Sequence, residues 1–351
     1  MILVEEGQSP LILCLPDSGT EMPDAVAKRL TATGKLQADL SWRLEGIFDF
    51  HKELDATVIR SSVSRYVIDV DKDPATPVSA AFDPTLALCP ATTLDGKGIY
   101  RDGEEPGPTE IEQRELLFHA PFHAKLQKQI NRLRARHRHV IVLVCQSIRS
   151  QIRGVTEKGL PLVNIGSGGG ESCDPDLRNL IVGSFNAQQG FTVGVDGQAK
   201  GGYITRFYGR PEDGVHAMTV LLAQRSYLRH ESPPFEPDKS RVARLQTVLS
   251  DSFSRIVDWA GMTGGDESCN PQREPENPKR EKNGVAPSRK TTPLAKAGVG
   301  REEGASARAR ASEEEIQTLP VDPLTLPDLT RAKPARGRPG DYPVLPLQVA
   351  E

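Results

Sequence analysis

The chain has 351 residues, a formal net charge of −3 and 37% hydrophobic residues, a share below the globular average. The near-neutral charge excludes a polycationic field for nucleic acid, and no run approaches the roughly 18 apolar residues a membrane helix needs. From residue 261 onward the only aromatic is Tyr342, and 12 of the 28 prolines fall there. That stretch has too little apolar surface to offset its ordering entropy, so the reading is one domain over 1–260 and a disordered tail over 261–351.

In chain order, Leu11 to Leu15 reads as a buried strand that ends at Pro16, and the Asp17-Ser18-Gly19-Thr20 loop lies at its carboxyl end. Pro23 to Thr33 suits a helix. Ala56 to Ser62 and Tyr66 to Val70 read as strands. Glu110 to Arg138 is the clearest amphipathic helix, with a kink expected at Pro121. Val140 to Cys145 is the most apolar strand and is expected at the sheet centre. Leu180 to Asn186 is expected to end a helix, and Phe191 to Val195 to form a strand. The spacing then predicts a helix over Gly214 to Leu228, with His216 and Ala217 in its first turns. A closing helix is expected over Asp238 to Trp259. This alternation argues for α/β architecture, a mostly parallel sheet flanked by helices.

The first ten residues have no basic region followed by a long apolar run, so no secretory signal is expected and the location is taken as cytoplasmic. The five cysteines are scattered without a CxxC pair, which fits free thiols in a reducing compartment. The tail carries 14 acidic and 14 basic residues and is no polybasic arm. It is expected to be inert, with docking to a protein partner through its final Pro-Val-Leu-Pro-Leu as the alternative.

Three segments carry pocket chemistry. Ser147-Ile148-Arg149-Ser150 follows the central strand. Asn164 to Gly170 is a flexible loop with many backbone amides. Lys200-Gly201-Gly202-Tyr203-Ile204-Thr205-Arg206 joins two cations through a glycine pair. Arginine forks match carboxylates, and glycine lets backbone approach a ligand. Together they fit a small dianion or dicarboxylate, bound by Ser147, Arg149, Lys200 and Arg206. The glycine loop matches neither a P-loop nor a dinucleotide fingerprint.

The order of Ser18-Gly19-Thr20, Asp39 and Trp42, Ser64 to Asp69, Asp73-Pro74, Cys89-Pro90, Thr92-Thr93, Asp95-Gly96, Pro121 with His123, Ser147 to Ser150, Ser172-Cys173, Lys200 to Arg206, Tyr208-Gly209 and His216-Ala217 resembles the N-formylglutamate amidohydrolase (deformylase) family. The likeness spans about Leu11 to Leu228. It implies a fold like that of zinc carboxypeptidases and phosphorylase/hydrolase-type domains, a divalent metal and hydrolysis of an N-acyl bond on glutamate or a related amino acid. Several positions depart from that family's pattern. Asp17 stands for a histidine, Ser41 for a second acid, and Val144 and Gln146 for the Asp and His of an Asp-Cys-His-Ser run. Thr219 and Leu221 replace Gln and Glu, and Gln198 replaces an arginine. A hydrolytic zinc site wants three imidazole or carboxylate ligands and an open position for water. Here only Asp17 suits zinc, Leu221 cannot act as a base, and Gln198 is neutral where a cation would steady an oxyanion. The expectation is therefore a protein without a resident metal that binds an acidic amino-acid derivative. One alternative is an active amidohydrolase with a divalent ion on a rearranged oxygen-rich site drawn from Asp17, Asp39, Asp69, Asp71 and Asp73. The other is a non-enzymatic scaffold or regulatory partner. His119, His123 and His216 are expected to be structural, hydrogen-bonded histidines; His119 and His123, spaced i, i+4, could share a helix face were it not for Pro121 between them.

Overall fold

A computed structural model describes residues 2–262, apart from 78, 81, 82 and 157. The expected tail beyond Met262 lies outside the described residues. Seven strands form one sheet: β1 (Ile2–Glu5), β2 (Leu11–Leu15), β3 (Thr57–Ser61), β4 (Val140–Ile148), β5 (Val163–Gly166), β6 (Val193–Val195) and β7 (Val215–Ala223), in the order β1-β3-β2-β4-β7-β5-β6. The central four strands run parallel. β1 joins β3 and β5 joins β7 in antiparallel fashion, which makes the sheet mixed at its flanks. β4 is the middle strand, as its unbroken apolar sequence predicts for a strand covered on both faces.

Successive residues of β4 serve opposite layers. Ile141, Leu143 and Cys145 pack in the layer that includes Leu245, Leu249 and Phe253 of the closing helix α7 (Lys239–Met262). Val140, Val142 and Val144 face Phe122, Leu126 and Ile130 of α4 (Ala120–Arg134) and Ile204 of α6 (Tyr203–Tyr208). The remaining helices are α1 (Asp24–Ala27), α2 (Ala32–Leu36), α3 (Pro108–Arg114) and α5 (Pro175–Asn186).

Several expectations are corrected. The helix predicted over Gly214 to Leu228 is strand β7, followed by a 3₁₀ turn at Gln224–Ser226. Seven of its nine residues are apolar and fall on both faces, and such a run carries no period that separates strand from buried helix. Tyr66 to Val70 is a turn-rich segment. Tyr66, Val67 and Ile68 are buried in a side cluster without joining a ladder. Local bonds replace the ladder: the Ser64 hydroxyl accepts from the Tyr66 amide (3.2 Å), and the Asp69 amide donates to Leu88 (2.8 Å). The long helix expected over Glu110 to Arg138 breaks at a π turn, Glu115–His119, just before Pro121. Proline lacks the amide that would close the regular ladder there. The helix predicted over Pro23 to Thr33 is two short ones, and β5 occupies the start of the expected glycine loop.

Candidate functional site

The site lies where the parallel strands end. Asp17 follows β2 and Pro16 and is 2% exposed. The Ser41 amide donates to the Asp17 carbonyl (3.0 Å), which fixes the two loops together. The Ser41 hydroxyl donates to Asp17 Oδ1 (2.7 Å) and accepts from the Ser147 amide at the end of β4 (2.8 Å). Gln146 projects to the α4/α6 side of β4. Its Nε2 lies 3.2 Å from Asp71 Oδ2 and 3.5 Å from Asp17 Oδ2. An amide between two carboxylates must present its NH₂ edge, since an oxygen there would face only acceptors. Leu221 of β7 pairs with Gln146 in register, so the two partly exposed side chains stand side by side.

Asp71 is held by the third segment of the site. The Ile204 amide at the start of α6 donates to Asp71 Oδ1 (2.8 Å), and the Tyr203 amide donates to its carbonyl (3.0 Å). Gly202 makes this contact feasible: a Cβ there would stand 1.8 Å from Asp71 Oδ2. Gly201 adopts φ +106°, a conformation that disfavours any side chain. The carboxyl of Asp17 is pushed up to about 7, chiefly by burial and further by Asp69 and Asp71, with Arg65 and Ser41 acting against this. Burial and then Asp69 push Asp71 up to about 6.

Arg149 lies 19% exposed beside these groups. Its Nη2 donates to Asp39 Oδ1 (2.8 Å) and Asp95 Oδ1 (3.2 Å), while its buried Nε has no partner. Asp39 also accepts from Tyr66 Oη (2.9 Å) and the Leu94 amide (2.8 Å). Arg65 and Asp69 form a second buried pair (2.8 Å). Asp69 also accepts from the Asp71 amide (3.0 Å), and Asp73 accepts from the Ala75 amide (2.9 Å). The aspartates 69 and 73 thus serve turns and an ion pair, and only Asp71 joins Asp17. Among the described residues no group of three or more His, Cys, Asp or Glu is placed to hold a metal ion.

A family model described as N-formylglutamate amidohydrolase matches residues 9–228. The chain belongs to the N-formylglutamate amidohydrolase family. It is 31% identical to the N-formylglutamate deformylase of Pseudomonas putida over 255 residues, which covers 72% of this chain and 94% of that protein. It is 30% identical to the corresponding protein of Pseudomonas aeruginosa, over 73% and 95% of the two chains. The fold is similar to the crystal structure of an N-formylglutamate amidohydrolase from Ralstonia eutropha, with TM-score 0.61 and 20% identity over 75% of this chain and 98% of that one.

For an N-formylglutamate amidohydrolase, the expected metal positions are informative. Asp17, Ser41 and Gln146 come together, with Asp17 accepting from both of the others. The three contribute one carboxylate, one hydroxyl that donates to it, and one amide whose NH₂ edge faces it. Zinc calls for imidazole, thiolate or carboxylate electron pairs, so this donor set does not fit a zinc ion. The other expected anchors differ in placement. Arg149 is central. Ser147 turns to the opposite face of β4, fully buried, with its hydroxyl 2.7 Å from Tyr227 Oη. Lys200 and Arg206 are exposed, and Arg206 donates to the Gly201 carbonyl. Gln198 is exposed after β6, with no side-chain hydrogen bond to a described residue. The glycine loop spends its amides internally: Gly168 donates to Lys200 (2.8 Å), Gly170 to Ser167 (2.9 Å), and Ser167 to Asp196 Oδ1 (2.6 Å).

The histidines are hydrogen-bonded. Both ring nitrogens of His123 have partners, Tyr208 Oη (3.0 Å) and the Val70 carbonyl (2.9 Å). The His123 ring lies 4.2 Å from that of His119, tilted by 37°, so the π turn before Pro121 brings the i, i+4 rings together after all. His216 sits at the start of β7 opposite Ile141, five residues below the Gln146–Leu221 pair, or about 17 Å along the strand. It accepts from the Asp174 amide (3.1 Å), so its Nε2 donates to His139 Nδ1 (3.0 Å). The sequence named Asp71 only within the alternative oxygen-rich metal site, not as the partner of Gln146. The signal available for it was the glycine pair that must accommodate a close neighbour.

Proposed function

We propose that this chain keeps the fold and carboxylate-binding loops of its family, has lost zinc-dependent hydrolysis, and binds an acidic N-acyl amino acid or a similar small carboxylate. The observation that supports this is the mutual hydrogen bonding of Asp17, Ser41 and Gln146 in place of a ligand set. A zinc-polarised water would also need a neighbouring base, and the position beside Gln146 is the hydrocarbon of Leu221. Each such group is worth about two to three decades of rate, so their combined loss leaves little of that reaction. The ligand's carboxylate would be met by Arg149, whose Nε is an unsatisfied buried donor, with Lys200 and Arg206 at the rim.

The test combines three measurements on purified full-length protein: metal content, turnover of N-formylglutamate, and thermal stabilisation by glutamate-type ligands. The expected result is no stoichiometric metal, no turnover, and a ligand-dependent rise in Tm that Arg149→Ala abolishes. Stoichiometric zinc with turnover would overturn the loss of hydrolysis. An unchanged ligand response in both Arg149→Ala and Arg206→Ala would overturn the assignment of the pocket.

A further inference from the structure

The floor of the site has an unbalanced charge and an unbalanced hydrogen-bond inventory. Four carboxylates there, Asp17, Asp39, Asp69 and Asp71, are at most 4% exposed. Arg65 pairs with Asp69 and Arg149 with Asp39, while Asp17 and Asp71 have no ion-pair partner among the described residues. Arg65 offsets part of the Asp17 charge but is committed to Asp69, and Lys72 and Arg206 offset part of the Asp71 charge without forming an ion pair with it. The group between the two unpaired carboxylates is neutral, and its contacts of 3.2 and 3.5 Å sit at the long edge of hydrogen bonding. Each carboxylate accepts two hydrogen bonds, Asp17 from Ser41 and Gln146 and Asp71 from Ile204 and Gln146, out of roughly four it can take. Ser18, next to Asp17 on the same loop and 9% exposed, has a hydroxyl with no hydrogen-bond partner among the described residues.

We infer that the Asp17–Asp71 pair receives the protonated primary amine of the ligand, with the Gln146 amide marking the place the ammonium takes, so that the ligand is an amino acid with a free α-ammonium group. This rests on the carboxylate-binding reading above and, within it, takes the free amino acid in place of the N-acyl one. An ammonium offers three donors and a positive charge to two unpaired carboxylates and the Ser18 oxygen. It competes well against a neutral amide held by two long contacts, because charge-assisted bonds are about twice as strong as neutral ones. An N-acyl group suits the same floor poorly. Its oxygen is an acceptor, and the donor hydrogens of Gln146 and Ser41 already point at the carboxylates. Its nitrogen carries one hydrogen and no charge. Arg149, at the edge of the same floor, then takes the ligand carboxylate, which gives a zwitterion one oppositely charged partner at each end.

Calorimetric titration of the full-length chain at neutral pH, with L-glutamate, N-acetyl-L-glutamate and glutarate as probes, separates the two levels of the argument. Glutamate is expected to bind ~10-fold or more tightly than either analogue, the effect of one charge-assisted contact. Glutarate carries the same two carboxylates in a smaller molecule, so its weakness cannot come from steric exclusion. Asp71→Asn should bring glutamate down to the level of glutarate and leave glutarate unchanged, which also shows that the variant is folded. If either analogue binds as tightly as glutamate, or if Asp71→Asn keeps the preference, the ammonium site is refuted while the carboxylate reading stands. If none of the three binds, both fall.

Discussion

Replacing Asp17 by Asn should shift the pH dependence of stability in a direction fixed by the burial of that carboxyl. In the folded chain the group is pushed from 3.8 up to about 7. The fold therefore holds the proton more tightly than the unfolded chain does. Its contribution to stability is fully present below 3.8 and is lost as pH rises through about 7. Between about pH 5 and the folded pKa lie about two units, each worth about 1.4 kcal/mol, so this carboxylate removes about 3 kcal/mol of stability between about pH 5 and pH 8. Asn cannot ionise. It keeps an acceptor for Ser41 but gives up one of two acceptor positions, at a pH-independent cost of about 1 kcal/mol. Urea unfolding of parent and variant at a series of pH values isolates the difference and cancels groups common to both, among them His123 and His216. The variant should gain about 3 kcal/mol on the parent across that range. A difference that stays flat from about pH 5 to pH 8 would refute the picture of a buried, unpaired carboxylate.

Three further outcomes are expected. Ser147→Ala should cost about 1–2 kcal/mol in urea unfolding by removing the bond to Tyr227, while ligand-induced stabilisation persists; lost binding in a stable variant would put Ser147 at the ligand after all. Gly202→Ala should cost about 1–3 kcal/mol and lower the response to glutamate to that given by glutarate, because its Cβ would displace the pinned Asp71 carboxylate; a variant with parental Tm and binding would show that Asp71 moves freely. His216 is pushed down to about 4 by burial and then by His139, so its contribution is present above 6.5 and lost as pH falls toward 4. The stability advantage of the parent over His216→Gln should accordingly shrink by up to about 3 kcal/mol on acidification through that window, and an advantage independent of pH would contradict the neutral His139–His216 pair.

Much of the arrangement was legible in single residues. Pro16 ends β2 and sets Asp17 at a strand end, and the apolar run of β4 placed that strand at the sheet centre with Gln146 and Arg149 at its exit. The substitutions at 41 and 146 could be read one at a time as poor zinc donors, with Asp17 left as the one suitable ligand. What could not be read was direction. Ser147 and Gln146 are neighbours in sequence, but the alternation of β4 sends one hydroxyl to Tyr227 and the other side chain to Asp71. The expected amide-rich loop was likewise legible as glycine composition only, and its amides turned out to be spent on Asp196, Lys200 and Ser167.

The β7 error shows the same division. A run of apolar residues determines that a segment is buried, since hydrophobic transfer depends on side-chain surface alone. Whether it is helix or strand depends on what lies on either side, and β4 and β5 supply both ladders here. That outcome moved Leu221 from a helix face to a position beside Gln146. The sequence by itself determined a family, a sheet built from apolar runs, and the chemical poverty of Ser41 and Gln146 beside Asp17 as a zinc site. Tertiary structure alone decided that Ser41 and Gln146 both donate to Asp17, that Asp71 joins them from 30 residues past Ser41, and that two buried carboxylates there have no ion-pair partner among the described residues. Long-range charge balance is a property of distances in space, and these depend on how the loops after β2, β3 and β4 meet the start of α6.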